Sequence, residues 1–181
     1  KHLNSQRKKK VHRVLFLILS FSLTLSFAQD DRLRLKQADV LENITVDGKS
    51  IQYLRGNVIF HKGDKVMNCE WARFDQKTEQ GFLFGNVSMV EDVQNLTCDS
   101  LFVDSPKDIM IAYSNTHVWD TTYSLVADTL FYFSELDSGS ANGNTTLIQD
   151  KQTIKGDRIE YFEIPESDGV SYAARGNVSI T

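Results

Sequence analysis

A small-residue-plus-Asn marker that returns at near-constant intervals constrains this chain more than any other feature. Gly-Asn-Val stands at 56–58, 85–87 and 176–178, with related pairs between them. The full set is Gly56-Asn57, Gly85-Asn86, Ser114-Asn115, Gly143-Asn144 and Gly176-Asn177, at spacings of 29, 29, 29 and 33. A second marker, a small residue followed by an acid, follows each of the first four at one constant interval: Cys69-Glu70, Cys98-Asp99, Ala127-Asp128 and Gly156-Asp157. An earlier copy, Ala38-Asp39, precedes Gly56. Self-similarity at a fixed period is the mark of a fold built by stacking one unit.

Each unit reads as two long strands. The segments alternate in polarity, are rich in Val, Ile, Phe, Tyr and Thr, and lack helical periodicity. Short polar turns separate them at His61–Lys65, Asp75–Glu79, Glu91–Asn95, Ser105–Asp108 and Asp120–Thr122, and the only prolines, Pro106 and Pro165, fall in turns. Both markers then lie in mid-strand, where a small residue signals a bend or a close backbone approach. The spacing predicts an all-β fold: an antiparallel meander of long strands, folded over at their middles into two facing sheets. A parallel solenoid with one coil per repeat is the alternative that this period also permits.

Alternation about the markers separates the faces, because every second side chain of a strand points the same way. One face carries Leu54, Val58, Phe60, Leu83, Val87, Met89, Ala112, Thr116, Val118, Ala141, Thr145, Leu147, Ala174, Val178 and Ile180. On the intervening strands it carries Ala72, Phe74, Leu101, Val103, Leu130, Tyr132, Ile159 and Tyr161. This stripe is either an ordinary filled core or the lining of a groove that accepts apolar chains. The small marker residues, with Ala112, Ala141 and Ala174 beside them, thin the lining at one depth.

Charge divides the chain in two. Residues 1–28 hold six Lys or Arg and no acid, so the formal net charge of −4 averages a basic leader and a body of −10. A body that acidic repels phosphate backbones, and no nucleic-acid partner is expected. The basic residues 1–13, the apolar run 14–28 and the small residues Ser26 and Ala28 have the three parts of a secretory signal peptide, cleaved after Ala28. An uncleaved anchor is the alternative, although the run over 14–28, interrupted by Ser20, Ser22, Thr24 and Ser26, is short for a bilayer span. The expected organisation is a leader over 1–28 and an exported repeat domain over 29–181. A first residue that is not Met, and a stop at Thr181 shortly after Gly176, make a fragment of a longer protein the expectation, with the last repeat incomplete.

Candidate chemistry is sparse. His61 and His117 are the only histidines after the leader and lack ligand spacing, so no metal and no cofactor are expected. The repeated acids suit a structural role at the bends, bonding nearby backbone N–H groups. A calcium ladder would be their sharper use, but the Gly-rich nonapeptide that accompanies one is missing. A catalytic pair would not need four copies, and no enzyme is expected. Five Asn-x-Ser/Thr sequons (Asn43, Asn86, Asn95, Asn144, Asn177) would matter only in a eukaryotic secretory route. Cys69 and Cys98 share one marker position. Adjacent solenoid strands would bring them to about 4.8 Å, within bridging range, whereas a meander separates them by about 9.6 Å. Two free, buried thiols are expected.

A cleavable leader followed by tandem small-Asp-x-apolar-x-apolar and apolar-x-Gly-Asn-Val units resembles the OstA-like domain. Lipopolysaccharide-transport bridge proteins of the LptA type contain that domain, as does the N-terminal periplasmic part of LptD-type translocons. The matching stretches are 38–57, 69–87, 98–118, 127–145 and 156–178. The resemblance implies a V-shaped β jelly-roll, or β-taco, whose interior holds the acyl chains of lipid A. It also implies stacking on other Lpt or OstA-type domains across the periplasm of a Gram-negative bacterium, or a place within a larger LptD-like protein. Under it, the lining of a lipid groove is Leu54, Val58, Phe60, Phe74, Leu83, Val87, Met89, Leu101, Val103, Ala112, Val118, Leu130, Tyr132, Leu147, Ile159, Tyr161, Val178 and Ile180. A polar fourth copy, Asn142–Thr146, and Ser114 in place of Gly depart from the pattern. The competing reading is an exported structural or adhesive β module with a filled core.

Overall fold

The structure, a computed structural model, describes residues 32–133, 138–163 and 170–181. The expected leader and the turn around Pro165 lie outside these residues. Among the described residues twelve strands form one antiparallel sheet: β1 (Arg34–Gln37), β2 (Val40–Val46), β3 (Lys49–Lys62), β4 (Lys65–Asp75), β5 (Gln80–Glu91), β6 (Gln94–Asp104), β7 (Ile109–Trp119), β8 (Tyr123–Phe133), β9 (Ser138–Gln149), β10 (Gln152–Glu163), β11 (Val170–Arg175) and β12 (Ser179–Ile180). From β3 to β10 each strand pairs with the next. At one edge β1 and β2 pair with the two halves of β3, and at the other β12 and β11 pair with the two halves of β10. Each edge is thus one bent strand cut in two at its marker.

The sheet folds lengthwise, so the two facing layers are halves of one continuous sheet. Phe60 pairs with Met67, and Phe74 lies seven residues further along β4. In a flat sheet that offset is about 23 Å at roughly 3.3 Å per residue. The Phe60 and Phe74 rings are 5.4 Å apart, edge to face. Only a crease between them brings the rings together. The register shifts by one residue at each Gly-Asn or Ser-Asn marker, as between Arg55 and Val58 against β4, and these bulges make the crease.

Marker chemistry explains the bulge. The small residue and the Asn after it both take positive φ: 72° and 46° at Gly56-Asn57, 77° and 46° at Gly85-Asn86. Two left-handed residues in succession turn the strand sharply, and Asn tolerates that region better than most side chains. Each Asn side-chain amide then donates to the acid of the neighbouring strand: Asn57 to Asp39, Asn115 to Asp99 and Asn144 to Asp128 at 2.8 Å, Asn86 to Glu70 at 2.5 Å, and Asn177 to Asp157 at 3.0 Å. The expected backbone N–H partners for the acids are replaced by this Asn ladder. The two markers are therefore the two halves of one device, repeated five times along the outside of the crease.

Cys69 and Cys98 are buried and free, on β4 and β6 with β5 between them. Burial pushes the Cys69 thiol up to about 11 and the Cys98 thiol up to about 12. Both stay protonated at pH 8. Ellman's reagent should therefore label neither thiol in native protein at that pH and both after unfolding in guanidinium. Rapid labelling of native protein would show that the crease opens.

Candidate interior site

The inner face is a set of rows that cross the sheet. On one side of the crease Leu54, Ala72, Leu83, Leu101, Ala112, Leu130, Ala141, Ile159 and Ala174 are successive partners. On the other side Phe60, Met67, Met89, Leu96, Val118, Leu125, Leu147, Ile154 and Ile180 are. The rows are continuous, but the space between them is not.

Over β3–β6 the interior is filled. Leu54, Val58, Phe60, Leu83, Leu101 and Val103 are fully buried, Val87 and Phe74 nearly so. Leu33, just before β1, closes this end by lying over Gly81, where a side chain would press on Leu33 Cδ2. Arg32 beside it pairs with Glu79 at 3.5 Å. A clasp crosses the mouth nearby: Lys62, at the rim of one half, is 4% exposed and pairs with Asp108 at the rim of the other. An enclosed ammonium group needs such a partner to offset its loss of water.

Over β7–β10 the rows diverge around a cavity of about 340 Å³. Its lining includes Met89, Leu101, Ala112, Val118, Leu130, Tyr132, Ala141, Leu147, Ile159 and Tyr161, with Tyr123, Leu125 and Tyr172. Side-chain size explains the change. In the row where β3 and β5 place Leu54 and Leu83, β7 and β9 place Ala112 and Ala141, and where β3 places Phe60, β7 places Val118. Glu91, Gln94 and Asn95 form a polar lip, and Lys65 holds Glu91 at 2.6 Å. Burial, followed by the charge of Asp120, pushes the Tyr123 hydroxyl up to about 12, so it remains a neutral donor.

The eighteen residues expected to line a groove thus fall into three groups. Met89, Leu101, Ala112, Val118, Leu130, Tyr132, Leu147, Ile159 and Tyr161 border the cavity. Leu54, Val58, Phe60, Phe74, Leu83, Val87 and Val103 are packed into the filled block, because bulky partners face them. Val178 and Ile180 are 47% and 64% exposed, with Ile180 opposite Ile154 on the last ladder. Alternation counted from the markers missed Leu96, Met110, Tyr123 and Leu125, which also border the cavity. The same count carried past each second marker in both directions finds Leu96, Tyr123 and Leu125.

Among the described residues no group of three or more His, Cys, Asp or Glu converges on a point, and no helix is long and apolar enough to cross a membrane. The site offers apolar surface with a polar lip, the lining common to small-molecule binding clefts.

A family model described as OstA-like protein matches residues 30–93 and 75–178. Among solved structures, 17 chains match. One is LptH from Pseudomonas aeruginosa, described as the LptA-homologous periplasmic component of the conserved lipopolysaccharide transport device. It is 16% identical with a TM-score of 0.33, over 84% of this chain and 97% of that one. No curated protein matches.

Proposed function

The chain belongs to the family of OstA-like proteins, and on that premise we propose that it is a periplasmic lipid-binding bridge in lipopolysaccharide transport to the outer membrane. The observation that carries this reading is the cavity of about 340 Å³ between the two halves of the sheet, lined by apolar side chains and opening past a polar lip. An acyl chain needs a dry apolar slot and gains about 0.8 kcal/mol per buried methylene. Lipid A supplies such chains on a polar sugar that stays at the lip. Export by the leader over 1–28 delivers the domain to the compartment where that cargo travels.

The two sheet edges supply the means of assembly. Edge strands present unpaired backbone groups that another sheet can extend. Val40, Leu41 and Ile44 are exposed on one edge, and Val178 and Ile180 on the other. Other OstA-type domains are the partners that fit such edges, and their stacking would join one interior to the next.

Delipidated protein should take up a fluorescent acyl probe saturably, and lipid A should displace it. Leu130→Glu places a carboxylate in the wall of the cavity and should weaken uptake roughly tenfold or more. Absence of saturable uptake by the wild-type protein would sink the proposal. It would leave a structural β module, the reading that the filled block over β3–β6 favours.

A further inference from the structure

Access differs between the rows: the row from Leu54 stays buried at Ala112, Ala141 and Ile159, whereas the row from Phe60 becomes partly exposed over β7 and β8. Phe60 and Met67 are fully buried, Val118 and Leu125 on the same row are partly exposed, and Ile180 is open to solvent. Across the fold Phe74 and Val103 are buried, while Tyr132 and Tyr161 are partly exposed. Leu96, Leu101 and Met110 border the cavity and belong to the packed cluster of the filled block, so they form its wall on that side. Behind them Leu83, Val87 and Val103 leave no space for a ligand atom.

We propose that the interior is a blind pocket for one unbranched alkyl chain of limited length, seated over β7–β10 and stopped by the filled block over β3–β6. This rests on the acyl-binding reading above and narrows it: over β7–β10 the domain holds the end of a single chain, and the filled block over β3–β6 takes none. The volume sets the length. A methylene occupies about the 30 Å³ of a water molecule in the liquid, so the cavity of about 340 Å³ takes roughly ten to twelve carbons. Anything longer leaves its surplus at the polar lip, where added methylenes bury no further surface.

The test is a chain-length series of straight saturated fatty acids, from about eight to about eighteen carbons, displacing a bound fluorescent acyl probe. Affinity should rise about fourfold per added carbon, then stop rising at roughly ten to twelve. Leu101→Ala opens the inner wall and should move that plateau up by roughly three carbons. Ala141→Leu fills the pocket and should move it down by roughly three. The second variant adds packing rather than removing it, which keeps the test independent of whether the first folds. Met67→Ala, inside the filled block, should leave the plateau where it is. A rise that continues to the longest acid, or a plateau that Met67→Ala shifts as far as Leu101→Ala, would overturn the blind pocket while leaving acyl binding intact. No displacement at any length would overturn the acyl-binding reading beneath it.

Discussion

Replacing Phe60 by Ala is expected to cost about 3–5 kcal/mol of stability, the usual range for a buried aromatic ring. For a chain of this size that lowers Tm by roughly 6–20 °C. Phe60 is fully buried, and its ring meets Phe74 edge to face at 5.4 Å from the opposite side of the crease. The substitution removes area from water, leaves a void too enclosed to collapse, and forfeits an aromatic pair worth about 0.5–1.5 kcal/mol beyond its area. Leu130→Ala is the contrasting case. Leu130 is only partly buried and already borders the cavity, so its loss enlarges a space that exists. Its cost should fall near the lower end for such truncations, about 2 kcal/mol or less. Thermal melts of the two variants compare the filled block with the hollow one. Equal losses would show that the interior is packed alike throughout.

That contrast also marks what the sequence makes legible. Period-2 alternation counted from a repeating marker places Leu54, Leu101 and Ile159 on one face without error, because a one-residue slip would turn every apolar side chain outward. Repetition supplies the two strands per unit, and the fixed spacing of small residues supplies the crease. Alternation does not say whether two facing rows touch. That depends on summed volumes across the fold, on Phe60 meeting Phe74 and on Leu33 filling the notch above Gly81. Alternation leaves groove and core both open for this reason: a cavity lies over β7–β10 and a filled block over β3–β6. Leu33 precedes the first marker and belongs to no repeat, so no periodic argument reaches it. The recurring acids were visible as a set, but their partner was not. Glu70 and Asn86 are distant in sequence and meet only because β4 and β5 bulge together.

Gly85→Ala should destabilise the protein by about 2–4 kcal/mol, and Ser114→Gly should stabilise it by up to about 1 kcal/mol, although the two positions are equivalent by repeat. At Gly85 the backbone has φ 77°, a conformation that costs a residue with a Cβ about 1–2 kcal/mol. The Glu70 carboxylate lies where that Cβ would go: an added carbon would stand 2.5 Å from Oε2 and 2.9 Å from Cδ. Glu70 has to move, and the bond from Asn86 moves with it, at a further cost of about 1–2 kcal/mol. Gly56, Gly143 and Gly176 each face an acid of the neighbouring strand in the same way. Ser114 occupies the same turn at φ 59° with the side chain in place, and Asn115 still reaches Asp99 at 2.8 Å. That strand already carries the conformational cost. Glycine removes it, and the greater freedom of glycine in the unfolded chain returns about 0.4–1 kcal/mol of the gain. The sign of the change is therefore set by the crease and not by residue size. Urea unfolding of both single variants measures it directly. Two losses of similar size would mean that the marker is held by packing alone, and that the Asn–acid ladder has no part in folding the sheet.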